Sequence, residues 1–461
     1  MRKFESQHYV LEVLNTAQVI PAFLNRQVLM ILSGLGVPDE VFSRLQDEMF
    51  NRMASMLLSS EDGLSFLSQN YYVLPSLPFT RINQAVMNPT IEPFFRSLIF
   101  SAYKRQLTEL LTRSRIFLPR GRILVGTIDE TGLLEERQVF VQITKVPTDP
   151  AEGSENYLYD ESRNLTTILG DVTIAKNPCM HPGDVRRMKA VNIPLLRRNH
   201  FDCIVFPAKG SRPITDMCSG SDLDGDLYFV TWDPNLMPPT DYPPMEYDAP
   251  KAVEVNTVTL DHIQRFMVDF IANDQLGTIA NAHVAHVDRR PAGVKEDICV
   301  LLAYIFSMAV DFPKTGFVPE FPKDARVIEW PDFMQKSGQP SYDSPKIMGR
   351  LFRKAKTIFF SSSLANATKI QANPKFLLPG HETLLEWSEK LYHEYADALA
   401  VILGVYSIDE ESQLFAGALT EAGTLKKDDL TTAIDVKYHG FSQFFDFLGC
   451  EEKSQSSPRF N

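Results

Sequence analysis

Cys218-Ser-Gly-Ser-Asp222-Leu-Asp224-Gly-Asp226-Leu-Tyr-Phe-Val230 places three carboxylates at alternate positions, sets a glycine between the last two and runs directly into an apolar stretch. In a tight strand-to-strand turn glycine reaches positive φ without steric cost, so the backbone folds sharply and the three carboxylates converge. No lysine or arginine lies inside the segment, so the charges repel until a hard cation sits among the oxygens. Mg2+ suits such a set, because it takes a few carboxylates and fills its other positions with water and substrate phosphates. An EF-hand also carries acidic residues at its first, third and fifth positions but needs glycine at the sixth, where this chain has Leu227. Two readings stay open on the motif alone: a solvated acidic turn, and a Mg2+ site for phosphoryl transfer. In the second, one ion activates an attacking hydroxyl and another bridges a triphosphate and its leaving pyrophosphate.

The segments upstream are short, rich in β-branched residues and separated by turn signals: Ile123–Ile128, Gln138–Thr144, Asp171–Ile174, Cys203–Phe206 and Leu227–Trp232. They predict a compact β domain over 115–235, and closure into a barrel is the usual way for many short strands to avoid open edges. Residues 236–255 contain Pro238-Pro239, Pro243-Pro244 and Pro250 and read as an extended linker. Helical spacing marks 1–114, where Phe42, Leu45, Met49, Met53 and Met56 follow the start signal Val37-Pro38-Asp39. It returns over 256–450, and 451–461 is polar and expected to be disordered.

The 461 residues carry a net charge of −12, which counts against a simple nucleic-acid-coating protein. The charge is unevenly spread, with six Lys/Arg against one Glu over Ser101–Val125 and eight Lys/Arg against two Asp over Val172–Thr215. A basic channel within an acidic shell suits an enzyme that handles a polyanion; solvated helix faces are the plainer reading. Five scattered cysteines with no C-x-x-C spacing predict neither a disulfide framework nor a zinc site, and fit an intracellular location, nucleus or cytoplasm. The longest apolar run, Cys299–Val310, is too short to span a bilayer, so no membrane segment is expected.

Phe206-Pro-Ala-Lys209-Gly-Ser-Arg212-Pro, followed by the aspartate segment, resembles the catalytic signature of eukaryotic cellular RNA-dependent RNA polymerases of the RNA-silencing type. Leu24-Asn-Arg-Gln27, Asp129-Glu-Thr-Gly132, Lys176-Asn-Pro-Cys-Met-His-Pro-Gly-Asp184, Asn273-Asp-Gln-Leu-Gly277, Ala280-Asn-Ala-His283 and Ala309-Val-Asp-Phe-Pro-Lys-Thr-Gly316 match the same family in order. The resemblance implies an α+β protein in which a double-psi β-barrel is flanked by a helical connector (1–114) and helical neck and head regions (256–450). It implies RNA synthesis on an RNA template, giving double-stranded RNA for gene silencing. Asp222, Asp224 and Asp226 are then the catalytic metal ligands for Mg2+, and the partners are RNA template and product, ribonucleoside triphosphates and other silencing proteins. Lys176 stands where the related multisubunit polymerases carry a cation that contacts the incoming ribose; a surface lysine beside a turn is the competing reading. Arg186, Arg187, Lys209 and Arg212 are candidates for template or triphosphate contact, since a phosphate needs only a positioned cation. His181 and His200 read as structural residues, and His283 with His286 lacks the third ligand that zinc would need. Members of the family normally carry a long N-terminal half with a second barrel, so the alternative expectation is a truncated, catalytically incomplete polymerase or RNA-binding remnant.

Overall fold

The computed structural model describes residues 16–59, 62–63, 93–146, 157–247, 255–272, 275–317, 319–362 and 380–406. The expected disordered tail, 451–461, lies outside them. By chain contacts there are two units, one comprising Met1–Phe50 and Leu107–Leu364, the other Asn51–Gln106 and Ala365–Asn461. Among the described residues the second is helical, formed by parts of Asp39–Leu58 and Pro93–Arg113 together with Leu385–Tyr406.

The first unit holds a nine-stranded sheet: β1 (Ile20–Leu24), β2 (Ile116–Ile128), β3 (Gln138–Thr144), β4 (Tyr157–Asp160), β5 (Leu165–Ile168), β6 (Gly170–Lys176), β7 (Arg186–Ala190), β8 (Cys203–Phe206) and β9 (Leu227–Thr231). Six of these strands form a ring. β2 runs antiparallel to β9, β9 to β6 and β6 to β7; β7 is parallel to β3; β3 is antiparallel to β8; and β8 closes the circle parallel to β2. Hairpins alone would give an all-antiparallel ring, so the two parallel pairs require long crossovers, as a double-psi barrel does. The α+β class with a closed barrel at its centre is therefore as expected.

Side chains alternate as the pleat requires. Val139, Val141 and Ile143 of β3 enter the barrel core with Leu124, Ile174, Ile204, Phe206, Tyr228 and Val230. Phe140 points the other way, into a second cluster with Leu134, Leu196, Cys203 and Val205. Each such side chain contributes about 1.5–3 kcal/mol on burial. Gly126 lets β2 approach closely: a Cβ there would lie 2.4 Å from Tyr228 Cε2 and 2.8 Å from Leu223 Cδ2. Gly126→Ala is expected to cost about 1–3 kcal/mol by overpacking, and an unchanged melting temperature would contradict this packing.

Several elements differ from the sequence reading, which also named no strand at β4 or β5. Residues 20–24, within the stretch expected to be helical, form β1, which pairs antiparallel with β2 across a register shift between Pro21 and Ala22. β1 is an edge strand, where proline is tolerated. Arg186–Ala190 was not read as a strand, yet it is β7, with Met188 and Ala190 buried between exposed or half-buried basic residues. The Pro-rich stretch is extended through its described part but docked along its length. Arg187 donates to Pro239 O and pairs with Asp241, Arg186 donates to Tyr242 O, and Arg212 donates to Met245 O.

Helices Leu276–Arg289 and Asp297–Val310 pack through Ile279, Ala282, Leu302 and Ile305, against Ala325. The second ends at Asp311, the N-cap of a single turn, Phe312–Thr315, which stops at Gly316 with φ +69°. Among the described residues no helix is long and apolar enough to cross a membrane. Cys179, Cys203, Cys218 and Cys299 are free and buried.

Candidate metal centre

The turn between the short helix Ile214–Met217 and β9 is wound by left-handed residues: Ser219 (φ 53°), Gly220 (61°), Leu223 (60°) and Gly225 (117°). At Gly225 the constraint is conformational, because no heavy atom lies within 4 Å of a Cβ there, whereas its φ is one that L side chains rarely adopt. Leu223 packs its side chain against the barrel core. Alternation then turns Asp222 and Asp224 outward, both exposed. The far end of the turn is pinned where Gly126 N donates to Asp226 O at 3.1 Å and Asn177 N donates to Leu227 O at 2.9 Å. As a result Asp222, Asp224 and Asp226 bring carboxylate oxygens within 4.8 Å of one another.

Two ammonium groups face this triad. Lys176, at the end of β6, places Nζ 2.9 Å from Asp226 Oδ1. Lys314, on the Phe312–Thr315 turn, bridges Asp222 at 3.0 Å and Asp224 at 3.1 Å. The hydrogen bond from Lys314 holds the Asp222 carboxyl below the ordinary carboxylate range, and the same contact raises the Lys314 ammonium. Asp226 also accepts from Ser221 Oγ, which in turn accepts from the buried Tyr228 hydroxyl. Burial pushes the Tyr228 phenol upward, so it remains a donor. Beside the triad lies a cavity of about 230 Å³, lined by Lys176, Asp184, Asp222, Tyr247, Phe306 and Asp311 among others.

The donor set suits a hard divalent cation. It consists of carboxylate oxygens with no thiolate or imidazole among them. An ammonium already bridging two of the three carboxylates shows that the arrangement draws positive charge to that point.

Of the five cations expected to touch substrate, Lys176 reaches the triad, whereas Arg187 pairs with Asp241 at 3.0 Å. Arg186 is spent on Tyr242 O at 2.7 Å, with Asp241 at 4.0 Å. Lys209 pairs with Glu135 at 2.6 Å. Arg212 pairs with Asp216 at 2.6 Å and Glu246 at 3.0 Å. Lys314 and Asp311 received no role from the sequence; the one signal for them was their place in the Ala309–Gly316 motif.

Among the described residues no histidine joins the cluster of Asp222, Asp224 and Asp226. His181 accepts from Gly183 N in a capping box with Asp184, and burial lowers its pKa against the pull of Asp184. His200 Nε2 is 3.6 Å from Glu130. His286 Nε2 lies 3.0 Å from Ala325 O. His283 is buried, and desolvation, with His181 and His286 adding to it, lowers its pKa to about 4. A histidine depressed in the folded state contributes stability above its unfolded pKa of about 6.5, and that stability is lost as pH falls towards the folded value. The barrel unit is therefore expected to lose on the order of 3 kcal/mol between pH 6.5 and 4 from this group. His283→Gln should flatten that part of the melting-temperature profile; an equally steep variant would remove His283 as the cause.

Residues 1–355 match the family model described as RNA dependent RNA polymerase. "Probable RNA-dependent RNA polymerase 2" of Oryza sativa subsp. japonica is 35% identical over 95% of this chain and 39% of its own length. "RNA-dependent RNA polymerase 6" of Arabidopsis thaliana is 36% identical over 96% of this chain and 38% of its own. "RNA-dependent RNA polymerase 1" of Schizosaccharomyces pombe is 32% identical over 94% and 36%. Among solved structures, "RNA dependent RNA polymerase QDE-1 from Thielavia terrestris" aligns with a TM-score of 0.49 at 20% identity, covering 85% of this chain and 48% of that one. The chain belongs to the RNA-dependent RNA polymerase family, as its motifs led us to expect, and spans about two fifths of the length of these curated relatives.

Proposed function

We propose that this chain carries the catalytic centre of an enzyme that synthesises RNA on an RNA template by two-metal nucleotidyl transfer, giving double-stranded RNA for gene silencing. The observation that carries this reading is the convergence of Asp222, Asp224 and Asp226 on the barrel, faced by Lys176 and Lys314 and open to a cavity. In-line phosphoryl transfer offers little for acid–base side chains to do, so positioned charge is the main requirement.

Mg2+ is the cofactor in this reading, held by the three aspartates; when bound, it supplies Lewis-acid stabilisation of charge on the reacting phosphate. The chain's own residues do the remainder. Lys176 contacts the sugar or a phosphate of the incoming ribonucleotide, where the 2′-hydroxyl distinguishes RNA from DNA precursors. Lys314 leaves Asp222 and Asp224 for the triphosphate. Ser221 and Tyr228 keep the Asp226 carboxylate aimed.

The test is incorporation of labelled ribonucleotide on a single-stranded RNA template, by the protein and by its Asp224→Ala variant. Template-dependent product from the parent alone is expected. Product from both, or from neither, would remove the reading, and the second outcome would favour an RNA-binding remnant. DNA templates outcompeting RNA would change the template class.

A further inference from the structure

Asp184 is 1% exposed and accepts five hydrogen bonds. Its Oδ2 takes Met180 N at 3.1 Å, His181 N at 2.9 Å and Ser219 Oγ at 2.7 Å; its Oδ1 takes Ser219 N at 3.1 Å and the hydroxyl of Tyr247. Ser219 and Gly220 open the left-handed winding that ends in the aspartates. Tyr247 also backs Gly220, where a Cβ would lie 3.0 Å from the tyrosine's own Cβ and Cγ. Tyr247 closes the docked Pro-rich strap, which Arg187 holds at Asp241, Arg186 at Tyr242 and Arg212 at Met245 and Glu246. The β6–β7 connection, the strap and the root of the metal turn therefore meet at one buried carboxylate.

We propose that Tyr247 and Asp184 are positioning residues, which fix the root of the aspartate turn and thereby set its affinity for divalent cations. This rests on the metal reading given above. Three carboxylates grip a small cation tightly only when their spacing is held before the ion arrives; partners behind the ligands typically change metal affinity 10–100-fold. Asp224 and Asp222 are exposed and, among the described residues, have no such partner in the barrel wall, so their spacing depends on how the turn is rooted. Arg186, Arg187 and Arg212 hold the segment that delivers Tyr247.

The test uses the whole chain and Mn2+ alone, with free Mn2+ followed by its electron paramagnetic resonance signal. Tyr247→Phe, which keeps the ring and removes the hydroxyl, is expected to weaken Mn2+ binding about tenfold, and Ser219→Ala similarly. Ile204→Val trims the barrel core on β8 and is expected to keep parental affinity despite a lower melting temperature. Parental affinity in both Tyr247→Phe and Ser219→Ala would overturn the proposal, as would equal weakening in Ile204→Val. Undiminished binding in Asp224→Ala would instead remove the metal reading itself, and this proposal with it.

Discussion

Asp224→Ala is expected to cut RNA-templated incorporation by at least about a thousandfold while leaving the melting temperature unchanged or slightly raised. The two effects separate because the residue has no packing role: its side chain is 56% exposed, and Lys314 is its ion-pair partner among the described residues. Exposed ion pairs are worth about 0–1 kcal/mol, and deletion also relieves repulsion from two neighbouring carboxylates. Activity depends on a larger quantity. Metal-ion charge stabilisation is worth several kcal/mol, and about 4 kcal/mol is already a factor of a thousand in rate. Incorporation kinetics beside a melting curve check both halves. A variant that loses activity and stability together would show Asp224 to be a structural residue.

Lys314→Met is expected to move two readouts in opposite directions. The ammonium occupies the space between Asp222 and Asp224 in which a cation would sit, so removing it takes away a competitor; Mg2+ affinity should rise, by up to about tenfold. The same change removes the positive charge proposed to meet the triphosphate, and loss of one preorganised charge-stabilising group typically costs 10²–10³ in turnover. The variant should thus bind metal better and work more slowly, with little change in melting temperature because the lysine is 53% exposed. Metal titration beside steady-state incorporation separates the effects. If both metal affinity and turnover fell, Lys314 would be a support for the turn rather than a mobile counter-charge.

What could be read in advance divides along lines of sequence distance. The triad was legible because all three carboxylates sit within five residues and their convergence is a local property of the Gly225 turn. Lys176, singled out by the resemblance for contact with the incoming nucleotide, stands beside Asp226. Lys314 was not legible, because a fold-level crossing brings it to the aspartates from about ninety residues away. Five of the six ring strands carried apolar alternation. β7 hid because Arg186 and Arg187 drew attention as phosphate ligands, although Met188 and Ala190 mark its inner face. β1 hid because Pro21 interrupts a short apolar run, which argues against a strand everywhere except at a sheet edge. The strap's extended form follows from its prolines, whereas its docking depends on arginines in distant segments, Arg137, Arg186 with Arg187, and Arg212.

The pairing of β2 with β9 also sets a schedule for making the protein. Their paired residues lie more than a hundred positions apart, with four other ring strands between them. On a ribosome working at ~5–20 residues per second, β2 waits on the order of ten seconds for its partner. Throughout that interval the edge that β9 will fill is open to any other unpaired strand. Lys314 emerges about eighty residues later still. A nascent chain halted between those points would hold a finished barrel in which Lys176 pairs Asp226 while Asp222 and Asp224 still lack Lys314. Lys314, the counter-ion of Asp222 and Asp224, thus arrives after the barrel strands are complete, and chaperone protection matters most while that edge of β2 is open.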